Sequence, residues 1–256
     1  MGGWLDQVFV YHPEPWIARD WRRLSGLPLE DVWFQASDGV RLFGWYVQAQ
    51  RNSDLGMTLL WCHGNAGNIV HRLENMALLY REGLSVFLFD YRGYGQSKGT
   101  PSEEGFYRDA LAAYAYVTQV REASSDRLVL FGRSLGGAVA GELAGRRPAA
   151  GLILESTFPS VEAVARQHYF GLPAHWLLGA RFDLLDHLRR VNMPTLVIHG
   201  DRDDIIPLEL GRQVFDAAAA PKSWYLVPGA GHNDLYEIGG RAYFQRLKQF
   251  FHGLRK

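Results

Sequence analysis

Leu128-Val129-Leu130-Phe131-Gly132-Arg133-Ser134-Leu135-Gly136-Gly137 is the stretch on which the reading of this chain turns. Leu128 to Phe131 makes a short apolar strand, and Leu135 to Gly145, rich in small residues, makes a helix. Between them stands Gly-x-Ser-x-Gly. Three fixed residues in five recur by chance, and a serine at a glycine-rich turn also serves as a plain helix cap. The strand–turn–helix setting is what gives this one weight, because it is the setting of a nucleophile elbow. Such a turn holds the serine in a strained backbone conformation with its hydroxyl exposed. Glycines two before and two after it are needed because side chains there would collide.

A serine hydroxyl is a weak nucleophile until a base takes its proton. Of nine histidines, His232 stands in Pro228-Gly229-Ala230-Gly231-His232-Asn233-Asp234, a loop after the last strand-like run. That is the carboxyl end of a strand, where open α/β sheets place their sites. His199 closes an earlier strand and reads as a packed, structural histidine. The imidazole needs a carboxylate to fix its tautomer. Asp201, Asp203 and Asp204 all follow the strand that ends at His199, and strand-end position does not choose among them. Glu155, after Leu152-Ile153-Leu154, is a fourth candidate. Acyl chemistry further needs backbone N–H donors aimed at the developing oxyanion. Leu135, directly after the serine, supplies one. The loop His63-Gly64-Asn65-Ala66-Gly67-Asn68, after the strand-like run Met57 to Cys62, supplies the other through Asn65.

Working outward, Val32 to Ala36 and Val40 to Val47 flank Ser37-Asp38-Gly39, a hairpin signal. Strand-like Leu84 to Asp90, Leu152 to Leu154, Thr195 to His199 and Trp224 to Val227 alternate with helix-like Arg72 to Glu82, Ser102 to about Arg121, Leu208 to Ala219 and Arg241 to Phe251. Short, fully apolar strands alternating with helices predict an α/β fold: a mostly parallel sheet covered on both faces, with an antiparallel N-terminal hairpin. One domain is expected over residues 27–256. Residues 156–182 break the rhythm and are expected to form at most a small cap.

Composition narrows the rest. Apolar residues are 47% and charged residues 21% of 256, which excludes a disordered chain or a rod. Lys+Arg and Asp+Glu are both 27, and a zero balance argues against a nucleic-acid partner. The one cysteine, Cys62, excludes an internal disulfide and a cysteine-rich zinc site. No apolar run reaches the roughly 18 residues of a membrane-spanning helix. No Lys or Arg precedes Arg19, so a signal peptide's basic start is missing, and the chain is expected in the cytoplasm. Residues 1–26 are nonetheless apolar, with Trp4, Leu5, Val8, Phe9, Tyr11 and Trp16. They are expected to pack on the domain or to make a peripheral membrane contact, with membrane association following where an anchor precedes them.

The set His63-Gly64-Asn65-Ala66-Gly67-Asn68, Asp90-Tyr91-Arg92-Gly93-Tyr94-Gly95, Gly132-Arg133-Ser134-Leu135-Gly136, His199-Gly200-Asp201-Arg202-Asp203 and Gly231-His232-Asn233-Asp234 resembles the α/β-hydrolase family across residues 30 to 252. It looks most like a branch of bacterial esterases and eukaryotic membrane-associated lipid or thioester hydrolases. The order serine, acid, histidine is that family's order. The resemblance implies that Asp203 is the acid, at the second aspartate after Gly200, and that the Asp90 to Gly95 segment is structural. It implies a catalytic set of Ser134, Asp203 and His232, an oxyanion hole from Asn65 and Leu135, and no metal or organic cofactor. The expected partner is a small-molecule ester of short to medium acyl length. Thioesterase, monoacylglycerol lipase and amidase chemistry share the fold, and a non-catalytic binding protein is a further alternative. Members of that branch that remove palmitate from proteins carry an N-terminal cysteine cluster, whereas this sequence has only Cys62.

Overall fold

Each central strand hands alternate side chains to opposite faces of one sheet. Leu60, Phe87, Phe89, Leu128, Leu130, Leu152, Leu154 and Val197 fall in one buried cluster. Their immediate neighbours Leu59, Trp61, Val86, Leu88, Val129, Phe131, Ile153 and Leu196 fall in a second. A period of two on a sheet apolar on both sides requires cover on both sides. The computed structural model, which describes residues 6–7, 10–50, 54–168 and 179–255, supplies that cover with helices.

The strands are β1 (Glu30–Gln35), β2 (Arg41–Val47), β3 (Thr58–Cys62), β4 (Ser85–Asp90), β5 (Leu128–Arg133), β6 (Gly151–Glu155), β7 (Thr195–Gly200) and β8 (Lys222–Val227). They form one eight-stranded sheet in the order β1-β2-β4-β3-β5-β6-β7-β8. β1 and β2 make the expected antiparallel hairpin, and β2 joins the sheet antiparallel to β4. From β4 to β8 every pairing is parallel.

The helices are α1 (Trp21–Ser25), α2 (Leu73–Arg81), α3 (Glu103–Ala115), α4 (Leu135–Arg146), α5 (Val161–His168), α6 (Leu184–Leu188), α7 (Leu208–Ala217) and α8 (Leu235–Gly253). α2 and α8 pack Met76, Leu79, Tyr243, Leu247 and Phe251 on one face. α3, α4, α6 and α7 pack Phe106, Ala138, Leu143, Leu184 and Val214 on the other.

Three details depart from the sequence reading. β5 runs two residues past Phe131, because Gly132 and Arg133 stay in register with Leu154 and Glu155 of β6. The strand therefore reaches the serine without a break. The helix after Ser102 ends at Ala115, and Tyr116–Val120 continues it as a π-helical turn. The last helix starts at Leu235 rather than Arg241. Within it Gly240 leaves helical geometry (φ 47°, ψ −130°), and the helix resumes beyond that kink.

Before β1, Val10 and Tyr11 are buried. Tyr11 packs edge-on against Phe106 and Phe182, and Trp16 against Phe43 and Trp45. Trp4, Leu5, Val8 and Phe9 lie outside the described residues, as do Tyr169, Phe170, His175 and Trp176 of the expected cap. The chain returns from that segment through Arg181 and Phe182, whose N–H groups both donate to the Glu103 carboxylate, at 2.6 and 2.8 Å. Among the described residues no helix is long and apolar enough to cross a membrane.

Candidate active site

Ser134 sits between the last residue of β5 and the first of α4 with φ 53° and ψ −124°, outside the regions a non-glycine residue ordinarily takes. Its neighbours hold it there. The Ser134 N–H donates to the Glu155 carbonyl at 2.9 Å, and its carbonyl accepts from the Thr157 hydroxyl at 2.8 Å. A Cβ on Gly132 would drive into the Gly136 carbonyl, and one on Gly136 into the Cys62 carbonyl. Backbone cannot yield as a side chain can, so both glycines are required by close approach.

The loops after β7 and β8 meet at this turn. His232 Nε2 lies 3.1 Å from Ser134 Oγ, and His232 Nδ1 lies 2.8 Å from Asp203 Oδ2. An ionised carboxylate only accepts, so the proton sits on Nδ1, and the Nε2 lone pair faces the hydroxyl. Asp203 is aimed by its other oxygen, which accepts from the Ile205 and Ile206 N–H groups at 3.0 and 2.7 Å. Burial pushes the Asp203 carboxyl up. The hydrogen bond and charge of His232, with the Ile206 N–H, outweigh it and hold the carboxyl below its ordinary 3.8.

The remaining candidates fall elsewhere. Asp201 Oδ1 accepts from the Gly229 N–H at 2.6 Å and so ties the acid loop to the histidine loop. Asp204 is exposed. Glu155 is buried and accepts from the Tyr243 hydroxyl at 2.5 Å. His199 is buried, donates from Nε2 to the Ile206 carbonyl at 2.8 Å, and stacks on Trp224. Burial lowers its pKa. It packs beneath the acid loop, with Nε2 3.5 Å from Asp203 Oδ2.

On the far side of the serine runs the loop after β3. A Cβ on Gly64 would lie 3.3 Å from Ser134 Cβ. Asn65 Oδ1 accepts from the Tyr94 hydroxyl at 2.8 Å, and the His63 carbonyl accepts from the Tyr91 hydroxyl at 3.0 Å. Among the described residues the N–H groups of Asn65 and Leu135 meet no acceptor. Under this loop His63 and Asp90 are fully buried, with His63 Nε2 3.8 Å from Asp90 Oδ1. Burial drives the His63 pKa down to about 3, with Arg72 adding to it, and pushes Asp90 up to about 7. His63 is therefore neutral at ordinary pH, and the contact is no ion pair. Cys62 is buried too, and burial raises its thiol to about 12, which removes it as a nucleophile.

Arg133 was not singled out by the sequence. It is buried; Nη2 donates to the His232 carbonyl at 2.8 Å and to Asn233 Oδ1 at 3.2 Å, and Nε lies 3.5 Å from Glu155. It stands at the free position of Gly-x-Ser, and only the tertiary path of the histidine loop gives it a partner. Arg92 joins Asp38 of the hairpin turn at 2.7 Å to Asp109 of α3 at 2.7 Å, a tie between the two elements. Among the described residues no group of three or more His, Cys, Asp or Glu side chains is placed to hold a metal ion. A hydroxyl, an imidazole and a carboxylate in line, beside two unengaged N–H donors, are equipped for attack on an acyl carbonyl.

Residues 58–184 match the model of a family described as alpha/beta hydrolase fold. The chain is 42% identical over 220 residues to the uncharacterized protein Rv2307c of Mycobacterium tuberculosis, covering 86% of this chain and 78% of that one. It is 34% identical over 243 residues to the alpha/beta hydrolase domain-containing protein WAV2 of Arabidopsis thaliana, covering 86% and 78%. Among solved structures, the esterase Pf2001 of Pyrococcus furiosus superposes with a TM-score of 0.76 at 20% identity, covering 95% of this chain and 97% of that one.

Proposed function

This chain belongs to the alpha/beta hydrolase family, and from that premise we propose that it is a serine hydrolase cleaving carboxylic esters of short to medium acyl chains through an acyl-enzyme intermediate. The observation that carries the proposal is the unbroken relay from Ser134 Oγ to His232 Nε2 at 3.1 Å and from His232 Nδ1 to Asp203 Oδ2 at 2.8 Å.

In this mechanism Ser134 Oγ attacks the acyl carbonyl while His232 Nε2 takes its proton. The carbonyl oxygen gains the negative charge and is held by the N–H groups of Leu135 and Asn65. Asp203 stays ionised and stabilises the imidazolium, and its depressed pKa suits that role. His232 then protonates the leaving alkoxide, and the ester C–O bond breaks. Water, deprotonated by the same imidazole, attacks the acyl-serine and releases the acid. The short segment 156–182 offers little room for a large lid, which favours short and medium acyl groups over long triglycerides.

Hydrolysis of p-nitrophenyl esters from acetyl to palmitoyl, with wild type beside Ser134→Ala, tests this. Turnover by wild type alone, greatest at short to medium length, is expected. No turnover by folded wild type on any ester would remove the carboxylesterase reading.

A further inference from the structure

The loop His63-Gly64-Asn65-Ala66-Gly67-Asn68 sets its glycine against the serine and turns both asparagine side chains the other way. Asn65 Oδ1 accepts from the Tyr94 hydroxyl and, at 3.3 Å, from the N–H of His12. The same His12 N–H lies 3.2 Å from the Tyr94 oxygen. Asn68 Nδ2 donates to the carbonyls of Glu14 and Pro15 at 3.2 and 3.3 Å. Between the two asparagines, the Gly67 N–H donates to the His12 carbonyl at 3.0 Å, and its carbonyl accepts from the Glu14 N–H at 3.2 Å. His71 Nε2 lies 3.3 Å from Glu14 Oε2. Residues 12–15 thus run as a short extended arm, bridged to Gly67 and Gly95. Buried Tyr11 pins its start.

These residues precede the hairpin and lie outside the sheet and its covering helices. Asn suits both loop positions because it has an acceptor and two donors. At 65 it takes an N–H and an O–H without bringing a charge beside a developing oxyanion. At 68 it gives its NH₂ to two carbonyls, which aspartate could not do.

We propose that residues 12–15 are a working part of the oxyanion hole: the main chain of His12 orients the Asn65 peptide that donates to the oxyanion, so that His12 is a positioning residue. This rests on the serine-hydrolase reading above. A loop with two glycines in six residues needs restraint from outside to hold an N–H to the roughly 0.5 Å that transition-state stabilisation needs. Tyr91, Tyr94 and Arg72 supply part of it at His63, Asn65 and Ala66. The arm adds its own restraint at Asn65, Gly67 and Asn68. Any event that lifts it slows turnover while the sheet and the serine relay stay intact.

The test uses the whole 256-residue chain. His12→Pro removes the N–H that reaches Asn65 and leaves the carbonyl that receives Gly67. The readouts are kcat and KM on p-nitrophenyl butyrate, inhibition by butylboronic acid as a tetrahedral mimic, Tm, and labelling of Ser134 by a fluorophosphonate. His12→Pro is expected to lower kcat about tenfold with KM within about twofold. Boronate binding should weaken by a similar factor, and Tm should hold. Combined with Asn65→Ala, it should add no further loss, because both remove one coupling. Asn68→Ala, which frees the arm at Glu14 and Pro15, should lower kcat by about threefold and serves if His12→Pro does not fold. Wild-type kcat in both His12→Pro and Asn68→Ala, or losses from His12→Pro and Asn65→Ala that multiply, would overturn the proposal. A wild type that neither turns over esters nor labels at Ser134 would overturn the hydrolase reading and this proposal together. A wild type that does both beside unaffected variants overturns only the arm.

Discussion

The guanidinium of Arg133 holds the main-chain carbonyl of His232 at 2.8 Å, so the residue directly before the serine fixes the loop that carries the histidine. The same side chain faces buried Glu155, which Tyr243 holds from the other side. Serine and histidine are therefore positioned from one buried polar chain rather than from two independent loops.

Arg133→Met is expected to cut kcat by at least about tenfold, because the His232 carbonyl and Asn233 lose their donor. It also strands Glu155 with Tyr243 alone, which is expected to cost about 3 kcal/mol of stability. Arg133→Lys keeps the charge but not the planar fork, and should recover more stability than kcat. Steady-state kinetics beside urea unfolding of both variants checks this. Equal recovery of both quantities by lysine would contradict it.

Asp203 and Asp201 share one loop and meet different partners, the His232 ring and the Gly229 N–H. Asp203→Asn is expected to lower kcat by up to about 10,000-fold, since an amide does not stabilise the imidazolium or fix its tautomer. Asp201→Asn loses only part of the tie to the Gly229 N–H. Its effect on kcat is expected to stay within about tenfold. The acid assignment fails if the order of the two effects is reversed.

The Asp90 contribution to stability should fall as the solution is made more alkaline through a defined window. Asp90 is raised from 3.8 to about 7, by burial first, against the N–H groups of Ile69 and Gln96 and the charge of Arg72. Between those values the native state binds more protons than the unfolded chain. This contribution therefore declines as pH rises from about 4 to about 7 and is level above that, while buried His63, lowered to about 3, contributes the opposite slope below its ordinary 6.5. Asp90→Asn cannot titrate, so it should lose this slope. Compared with wild type, the variant's urea midpoint at about pH 8 should rise relative to its midpoint at about pH 5. An unchanged difference between the two midpoints would show that Asp90 does not carry the slope.

Two glycines provide a contrast in sterics. A methyl group on Gly136 would enter the Cys62 carbonyl, whereas one on Gly253 would meet nothing within 4 Å. Gly136→Ala is expected to cost about 3 kcal/mol or to prevent folding. Gly253→Ala, at the last residue of α8, should be neutral or gain about 0.5 kcal/mol. Thermal melts of the two variants decide the matter.

The parallel strands were legible because they are apolar on both faces, as in Val86 to Phe89, and that pattern forces cover on both sides. Ser134 was legible because its turn needs glycines at fixed distances. Asp203 was harder. Three aspartates within four residues share one strand end, and what separates them is which carboxylate the Ile205 and Ile206 N–H groups aim inward. That is a property of the folded loop. The amphipathic spacing shows α8 only from Arg241, and nothing local tells that the helix runs from Leu235 through a kink at Gly240. Arg133 and the arm at residues 12–15 were missed for a related reason. Their partners, His232, Asn65 and Gly67, lie far along the chain, and hydrogen bonds to main-chain atoms leave no residue-type signature.

Ser134 and His232 are 98 residues apart in the chain and 3.1 Å apart in the fold. A polypeptide growing from a ribosome at roughly 5–20 residues per second exposes the serine several seconds before the histidine exists. The strained turn also depends on contacts to Glu155 and Thr157, which are made later still than the serine itself. The nascent chain therefore lacks the assembled relay until the loops after β7 and β8 close on the elbow.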